Sequence, residues 1–123
     1  MTEKTIKKYE TIWAKMQEAY KINFDEQDKT IEVINGVGSS SLRFDRIIPF
    51  AKWLVSKDIA NINHRAFLRD GSENERSAFI EIWDSCIGNT VYGKYEVGRD
   101  GLYSVSNVLL EYGIKSSVHI SMD

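Results

Sequence analysis

The sequence predicts an α+β fold, in which a mostly antiparallel sheet of two hairpins and a C-terminal strand packs with three main helices. Two observations carry this prediction. Some stretches repeat apolar residues every three or four positions, as helices do, and others alternate apolar and polar residues, as strands do. The predicted hairpins and helices are also segregated along the chain, which favours antiparallel pairing with helices on one face.

The composition is that of a single packed domain spanning residues 1–123. Hydrophobic residues make up 42% and charged residues 28% of the chain, which excludes a disordered or low-complexity protein. No apolar run is long enough to cross a bilayer, and no signal peptide is visible. The single cysteine, Cys86, cannot form an internal disulfide. We therefore expect a cytoplasmic protein with no cofactor, no metal and no membrane contact.

Residues 4–21 are predicted to form the first helix, because their apolar residues recur at spacings of three and four. The opposite face is rich in lysine and is expected to be solvated. The apolar stripe consists of Ile6, Tyr9, Trp13, Met16 and Tyr20.

Residues 30–34 and 42–44 are predicted to form the first hairpin, since both stretches alternate apolar and polar side chains. A two-residue turn at Asn35-Gly36 would place the apolar residues opposite glycine and serine. A longer loop over 35–40 pairs Val33 with Leu42 and is favoured for that reason. The run Gly36–Ser41 lacks the residues that complete a phosphate-binding loop, so a flexible hairpin loop is the favoured interpretation.

Asp45 is predicted to cap a second helix that ends near Lys57, with Pro49 in its first turn, where a missing amide costs little. Trp53 falls outside the predicted buried side, beside two lysines, so we expect it to be exposed and to anchor a partner. The predicted buried side consists of Ile47, Ile48, Ala51, Leu54 and Val55.

Two further helices are predicted at residues 61–69 and 72–87. Ser72 and Glu75 have the spacing of a capping box, in which each side chain accepts a bond from a free amide at the start of the helix. Cys86 lies on the apolar stripe of the second of these helices and is predicted to be a core residue.

A second hairpin is predicted over residues 91–105. A loop at 99–101 places Gly101 where the turn needs a positive φ, and it pairs Val97 with Tyr103. The turn and the apolar pattern agree on this register.

The end of the chain is predicted to hold one helical turn and one strand. Ser106 is expected to cap the turn, which continues to Leu110 and closes at Gly113. Val118–Met122 then alternates as the last strand.

Charge is distributed unevenly along the chain. Residues 1–57 contain ten basic and eight acidic residues, whereas residues 58–123 contain six basic and ten acidic ones. An acidic face on and just before the predicted helix 72–87 is therefore expected to meet a basic partner. Trp53 and the hairpin tip add to the predicted contact surface. The candidate partner-binding residues are Asp70, Glu73, Glu75, Glu81, Asp84, Trp53 and Arg99.

The function favoured by these observations is that of a small non-catalytic binding protein. We expect an inhibitor or immunity-type protein that occupies the surface of a partner protein, itself basic or nucleic-acid-binding. Proteins that phages and mobile elements encode against host defences, anti-CRISPR proteins included, are small, compact and free of catalytic motifs in this way.

Two alternatives remain open. The order of helices 46–57, 61–69 and 72–87 followed by a hairpin is that of a winged helix, although the acidic third helix would face DNA phosphates, so DNA ranks below a protein partner. His64 and His119 are the only histidines and would serve as general base and general acid in a small nuclease if the fold brought them together.

Overall fold

The computed structural model describes residues 1–27, 38–90 and 95–122, and these residues confirm the α+β fold. The sheet is antiparallel, with strand order β2-β3-β1-β4. The elements are α1 (Glu3–Glu26), β1 (Gly38–Asp45), α2 (Pro49–Ser56), β2 (Asn61–His64), β3 (Ala78–Trp83), α3 (Asp84–Ile87), α4 (Tyr95–Glu111) and β4 (Ser117–Met122), with a 3₁₀ turn at Glu75–Ser77.

The two faces of the sheet have different chemistry. Successive side chains of a strand alternate between faces, so Leu42 and Ile82 point into the core beneath the helices, while Arg43 and Glu81 point to the opposite face. Each large apolar side chain buried in the core contributes about 1.5–3 kcal/mol to folding. The core joins both layers through Ile12, Met16, Tyr20, Leu42, Phe44, Phe50, Leu54, Ile80, Ile82, Leu102, Val105 and Leu109.

The first helix is confirmed and is longer than predicted. Thr2 caps it, since its hydroxyl oxygen accepts a bond from the Thr5 amide at 3.2 Å. The predicted stripe is confirmed in part. Met16 and Tyr20 are buried, together with Ile12, which the prediction left out, whereas Ile6, Tyr9 and Trp13 are half-buried.

The predicted loop at residues 36–41 is wrong over its described part, because Gly38–Ser41 belongs to β1. Ser40 and Ser41 are fully buried, and both hydroxyls are satisfied by bonds inside the protein. The neighbours of Leu42 in the sheet are Ile82 and Val118. The predicted partner strand at 30–34 lies outside the described residues.

The second helix begins at Pro49 rather than directly after Asp45, whose carboxylate instead accepts a bond from the Ile47 amide at 3.1 Å. Ala51 and Leu54 are buried as predicted, but Phe50 and Trp53 complete the buried side in place of Ile47 and Ile48, which precede the helix. Trp53 is therefore only 5% exposed and stacks on Phe50, so its predicted exposure is wrong. Ile47, predicted to be buried, is exposed.

The helix predicted at 61–69 is wrong, because Asn61–His64 is strand β2. The helix predicted at 72–87 is wrong over most of its length, because Ala78–Trp83 is strand β3 and only Asp84–Ile87 is helical. The run Ala78–Trp83 is rich in aromatic and β-branched residues and is covered on both faces, as an inner strand is. The predicted capping box is absent, since the hydroxyl of Ser72 bonds to Asp70 at 2.6 Å. Cys86 is exposed rather than in the core.

The second predicted hairpin is wrong as well. Residues 91–94 lie outside the described residues, and Tyr95–Glu111 is helix α4. Gly101 serves a close approach rather than a turn, because a Cβ there would lie 2.5 Å from Cε2 of Tyr20 on α1.

The last predicted elements are confirmed in part. Gly113, at φ +74°, follows the end of α4, and the Ile114 amide bonds back to the Leu109 carbonyl at 3.0 Å. The helix before it is, however, much longer than the single turn predicted. Strand β4 forms at Ser117–Met122, as the alternation predicts.

Candidate functional site

A cleft lies at one end of the sheet, where β1 and β2 end and β3 and β4 begin. Its volume is about 490 Å³, within the range of ligand-binding clefts. Cations from three separate segments converge on it, and Asp45 is the one carboxylate among the described residues that line it. We call it the basic cleft and define it by its cations, Arg43, Arg46, Arg65, Arg76 and Lys115.

A phenyl ring organises two of these cations. The guanidinium carbon of Arg43 lies 4.3 Å from the centroid of Phe79, and that of Arg65 lies 5.1 Å from the same ring. Contacts of this kind are cation–π interactions, and they hold a guanidinium group in a defined position. The two arginines are therefore positioned before any ligand binds.

Glu81 fixes Arg43 from the neighbouring strand. Its carboxylate accepts hydrogen bonds from Arg43 Nε at 2.8 Å, from the Ser41 hydroxyl at 2.6 Å and from the side-chain amide of Asn63 at 3.0 Å. Three charge-assisted bonds satisfy a carboxylate that is only 3% exposed. Glu81 is thus a positioning residue and not the exposed contact residue predicted from the sequence.

The other four cations of the basic cleft carry unbalanced charge. Among the described residues, none of their side-chain nitrogens lies within 4.0 Å of a carboxylate oxygen. All four residues are exposed. Like charges held close together in a concave surface raise its potential and attract anions. These four residues are Arg46, Arg65, Arg76 and Lys115.

A second surface is formed by residues 65–77, which we call the β2–β3 connection. Backbone bonds cross it from Leu68 N to Ser72 O at 2.7 Å and from Asn74 N to Ala66 O at 3.1 Å. Phe67 and Leu68 are nevertheless 64% and 52% exposed. The connection is therefore an ordered loop that presents two adjacent apolar side chains.

The five acidic residues of the predicted face do not share one surface, because three are exposed and two are buried. Asp70, Glu73 and Glu75 are exposed on the β2–β3 connection. Asp84 is buried and accepts a bond from the Asn89 amide at 2.6 Å, so, like Glu81, it is inaccessible to a partner. The carboxyl group of Asp70 has a lowered pKa, chiefly because the Ser72 hydroxyl and then the Ser72 backbone amide bond to its charged form.

Arg99 is not at a hairpin tip and does not line the basic cleft. It lies on α4, where its Nε donates to Asp100 at 3.1 Å and its guanidinium lies 5.9 Å from the centre of the Tyr95 ring. Asp100 is also the main reason that the pKa of Arg99 is raised.

The two histidines do not share a site. His64 is on β2 and His119 on β4, the opposite edges of the sheet, with β3 and β1 between them. Three strand spacings amount to about 14 Å, too far for two groups that act on one bond. The arrangement required by the histidine-dependent nuclease hypothesis is absent.

Comparisons with family models, with curated proteins and with solved structures gave no match. Of the helices in the described parts of the chain, none combines the length and the apolar character that a bilayer crossing requires.

Proposed function

We propose that this chain is a non-catalytic binding protein whose basic cleft holds the phosphate groups of a nucleic acid strand. The observation that carries the proposal is the convergence of five cations and one carboxylate on one concave surface. Guanidinium groups bind phosphate oxygens through paired, charge-assisted hydrogen bonds. The exposed hydroxyl group of Ser117 adds a further donor to the same wall.

The proposed contact is with the nucleic acid backbone rather than with its bases. Phe79 is the aromatic ring of the cleft that lies between the arginines, and it is buried under Arg43 and Arg65. A ring covered in this way offers no face for a base to stack on. Phosphate contacts position a protein without reading sequence, so we expect little dependence on base sequence.

The nucleic acid proposal differs from the winged-helix alternative in its structural basis. The second and third helices of that alternative are replaced by β2 and β3, so no recognition helix is formed from residues 72–87. The end of a sheet and the loops beside it supply the cations instead.

Fluorescence anisotropy with short labelled single-stranded and duplex DNA, at low salt, tests the proposal. The double variant Arg65→Ala/Arg76→Ala should bind at least about tenfold more weakly, since each bond to a charged group contributes about 1.5–3 kcal/mol. Arg69→Ala/Lys57→Ala is the matched control, because it removes the same charge from exposed residues that do not line the cleft.

Three outcomes would contradict the nucleic acid proposal: no binding by the wild type, equal losses in both double variants, or competition by a free nucleoside triphosphate as strong as that by a strand. The last would indicate a small phosphate ligand. Lys115→Ala gives a single-site check, because this exposed side chain makes no ion pair within the described residues. Thermal unfolding of each variant shows whether it folds.

A second candidate function, inhibition of a partner protein by occupying its surface, is favoured by the apolar tip of the β2–β3 connection. Phe67 and Leu68 are held exposed by the bonds that cross the loop, so little ordering entropy opposes their insertion into a pocket. Asp70 and Glu73 beside them favour a pocket with a basic rim. An inhibitor or immunity-type role of the anti-CRISPR class remains a prediction of this second candidate.

Site-specific photo-crosslinking tests the second candidate. A crosslinker at position 67 should attach to one partner protein, and Leu68→Ser should abolish that product. A crosslinker at exposed Tyr103, on α4, is the control. Identical products from both positions would contradict a specific surface at the connection.

A further inference from the structure

We propose that His64, Glu73 and Glu75 bind a divalent transition metal ion, with Zn²⁺ as the best fit, at the base of the β2–β3 connection. One potential ligand atom from each residue lies within 4.8 Å of the other two. This proposal does not depend on the nucleic acid proposal, because none of the three residues lines the basic cleft.

The backbone brings the three residues together across two chain segments. His64 ends β2 opposite Ala78 of β3, and the Arg65 amide continues the pairing to the Ser77 carbonyl at 3.3 Å. An isolated antiparallel β-bridge pairs the backbone of Phe67 with that of Glu73. The outgoing and returning segments therefore lie side by side, with histidine on one and both glutamates on the other.

The three residues lie close enough to converge on a small metal ion. The two carboxylates lie beside different nitrogens of the imidazole ring, since His64 Nδ1 is 3.3 Å from Glu73 Oε2 and His64 Nε2 is 3.6 Å from Glu75 Oε1. A single ion binds only one ring nitrogen, so one glutamate must rotate toward it, over a cluster whose ligand atoms lie within 4.8 Å of one another. Neighbouring ligands of tetrahedral Zn²⁺ are separated by about 3.3 Å when its bonds are about 2.0–2.1 Å long. Both glutamate side chains are largely exposed and free to adjust their rotamers around an ion.

His64 supplies an independent observation. Its side chain is only 7% exposed, and its Nε2 atom is buried with no hydrogen-bond partner among the described residues. A buried polar atom without a partner destabilises the fold, and a metal ion would satisfy it. The adjacent carboxylates would neutralise the charge of the ion.

The donor set indicates the class of metal. One imidazole nitrogen and two carboxylate oxygens suit Zn²⁺, whereas Ca²⁺ and Mg²⁺ prefer oxygen ligands alone. Three protein ligands leave room for water in the remaining position. Because the ligands come from both segments, a bound ion would hold the connection together at its base.

Competition with a chromophoric zinc chelator tests the site on the full chain. The wild type should take up one Zn²⁺ ion, with no comparable uptake of Mg²⁺. His64→Ala should lose this ion, and Glu73→Gln and Glu75→Gln should each weaken binding by at least about tenfold. His119→Ala, which removes an exposed histidine from the opposite edge of the sheet, should bind as the wild type does.

Amide hydrogen exchange provides a second readout. Zinc should slow exchange in residues 65–77 of the wild type and of His119→Ala. In Glu75→Gln, whose exposed substitution leaves the fold intact, the same protection should require at least about tenfold more zinc. The proposal is overturned if the wild type binds no zinc, if Glu73→Gln and Glu75→Gln both bind it unchanged, or if His119→Ala loses it as His64→Ala does.

Discussion

Tyr20, at the contact between α1 and α4, combines a favourably buried ring with an unfavourably buried hydroxyl group. Its ring is buried in the core beside Gly101, yet its hydroxyl oxygen has no hydrogen-bond partner among the described residues. Burial first, and the nearby Asp84 carboxylate second, raise the pKa of Tyr20. The ring is well placed for packing, but the hydroxyl gives up its bonds to water without replacing them.

Tyr20→Phe is therefore expected to leave stability unchanged or to raise it by up to about 1 kcal/mol, because it removes an unpaired buried group and keeps the ring. Tyr20→Ala, the control for packing, should cost about 3–5 kcal/mol. The wild type should also lose stability above pH about 10, since tyrosine then ionises more readily in the unfolded chain than in the fold. Chemical denaturation at neutral and alkaline pH measures both effects, and a clear loss in Tyr20→Phe would contradict the assignment.

The hydrogen bond of the Ser72 hydroxyl distinguishes the observed turn, in which it bonds to Asp70, from the predicted helix, in which it would cap the first turn. Ser72→Ala should raise the pKa of Asp70 towards its ordinary value, because both the hydroxyl bond and its stabilisation of the carboxylate are lost. In the wild type the lowered pKa favours folding above the unfolded-state value, and this contribution disappears as pH falls through the folded-state value. Carboxyl NMR titration of the two proteins measures the shift. An unchanged Asp70 pKa in Ser72→Ala would show that the hydroxyl bond is absent in solution.

At the scale of elements, periodicity identified α1 and β4 but misassigned the middle of the chain. The stripe of α1 extends over several turns, so the helical interpretation has little competition. In residues 78–83 almost every position is apolar, and a strand covered on both faces cannot be told from a buried helix by periodicity alone. Residues 95–105 fit strand alternation as well as they fit helix α4, and packing against α1 and the sheet decides between them.

Gly101→Ala tests that contact. In an exposed helix interior this substitution stabilises by about 1 kcal/mol. Here a Cβ would lie 2.5 Å from the Tyr20 ring, so a loss of about 1–3 kcal/mol is expected from overpacking. Asn107→Ala, at an exposed position of α4, is the control and should change stability by less than about 0.5 kcal/mol. Stabilisation by Gly101→Ala in urea denaturation would show that α1 and α4 do not pack this closely.

At the scale of the whole molecule, the sheet topology creates the basic cleft from residues that are far apart in sequence. Its cations extend from Arg43 to Lys115, and the chain as a whole is slightly acidic. Neither net charge nor local charge runs could therefore have revealed it. The acidic residues that dominate the second half of the sequence gave the opposite expectation, and two of them, Glu81 and Asp84, are buried in hydrogen-bonded positions.

The steepness with which nucleic acid binding weakens as salt concentration rises should report how many cations of the basic cleft contact phosphates. Each duplex phosphate contact contributes about 0.9 to the slope of log K against log salt concentration, so four free cations limit the slope to about −3.6. Arg46→Ala and Lys115→Ala should each make the slope shallower by about 1. Arg69→Ala, on an exposed residue outside the cleft, should leave it unchanged. Anisotropy titrations over a series of salt concentrations give the slopes.

Two results would contradict this prediction. A slope much steeper than the limit would place phosphate contacts beyond the basic cleft. An equal change in the slope of Arg69→Ala would show that binding follows net charge rather than this arrangement of cations.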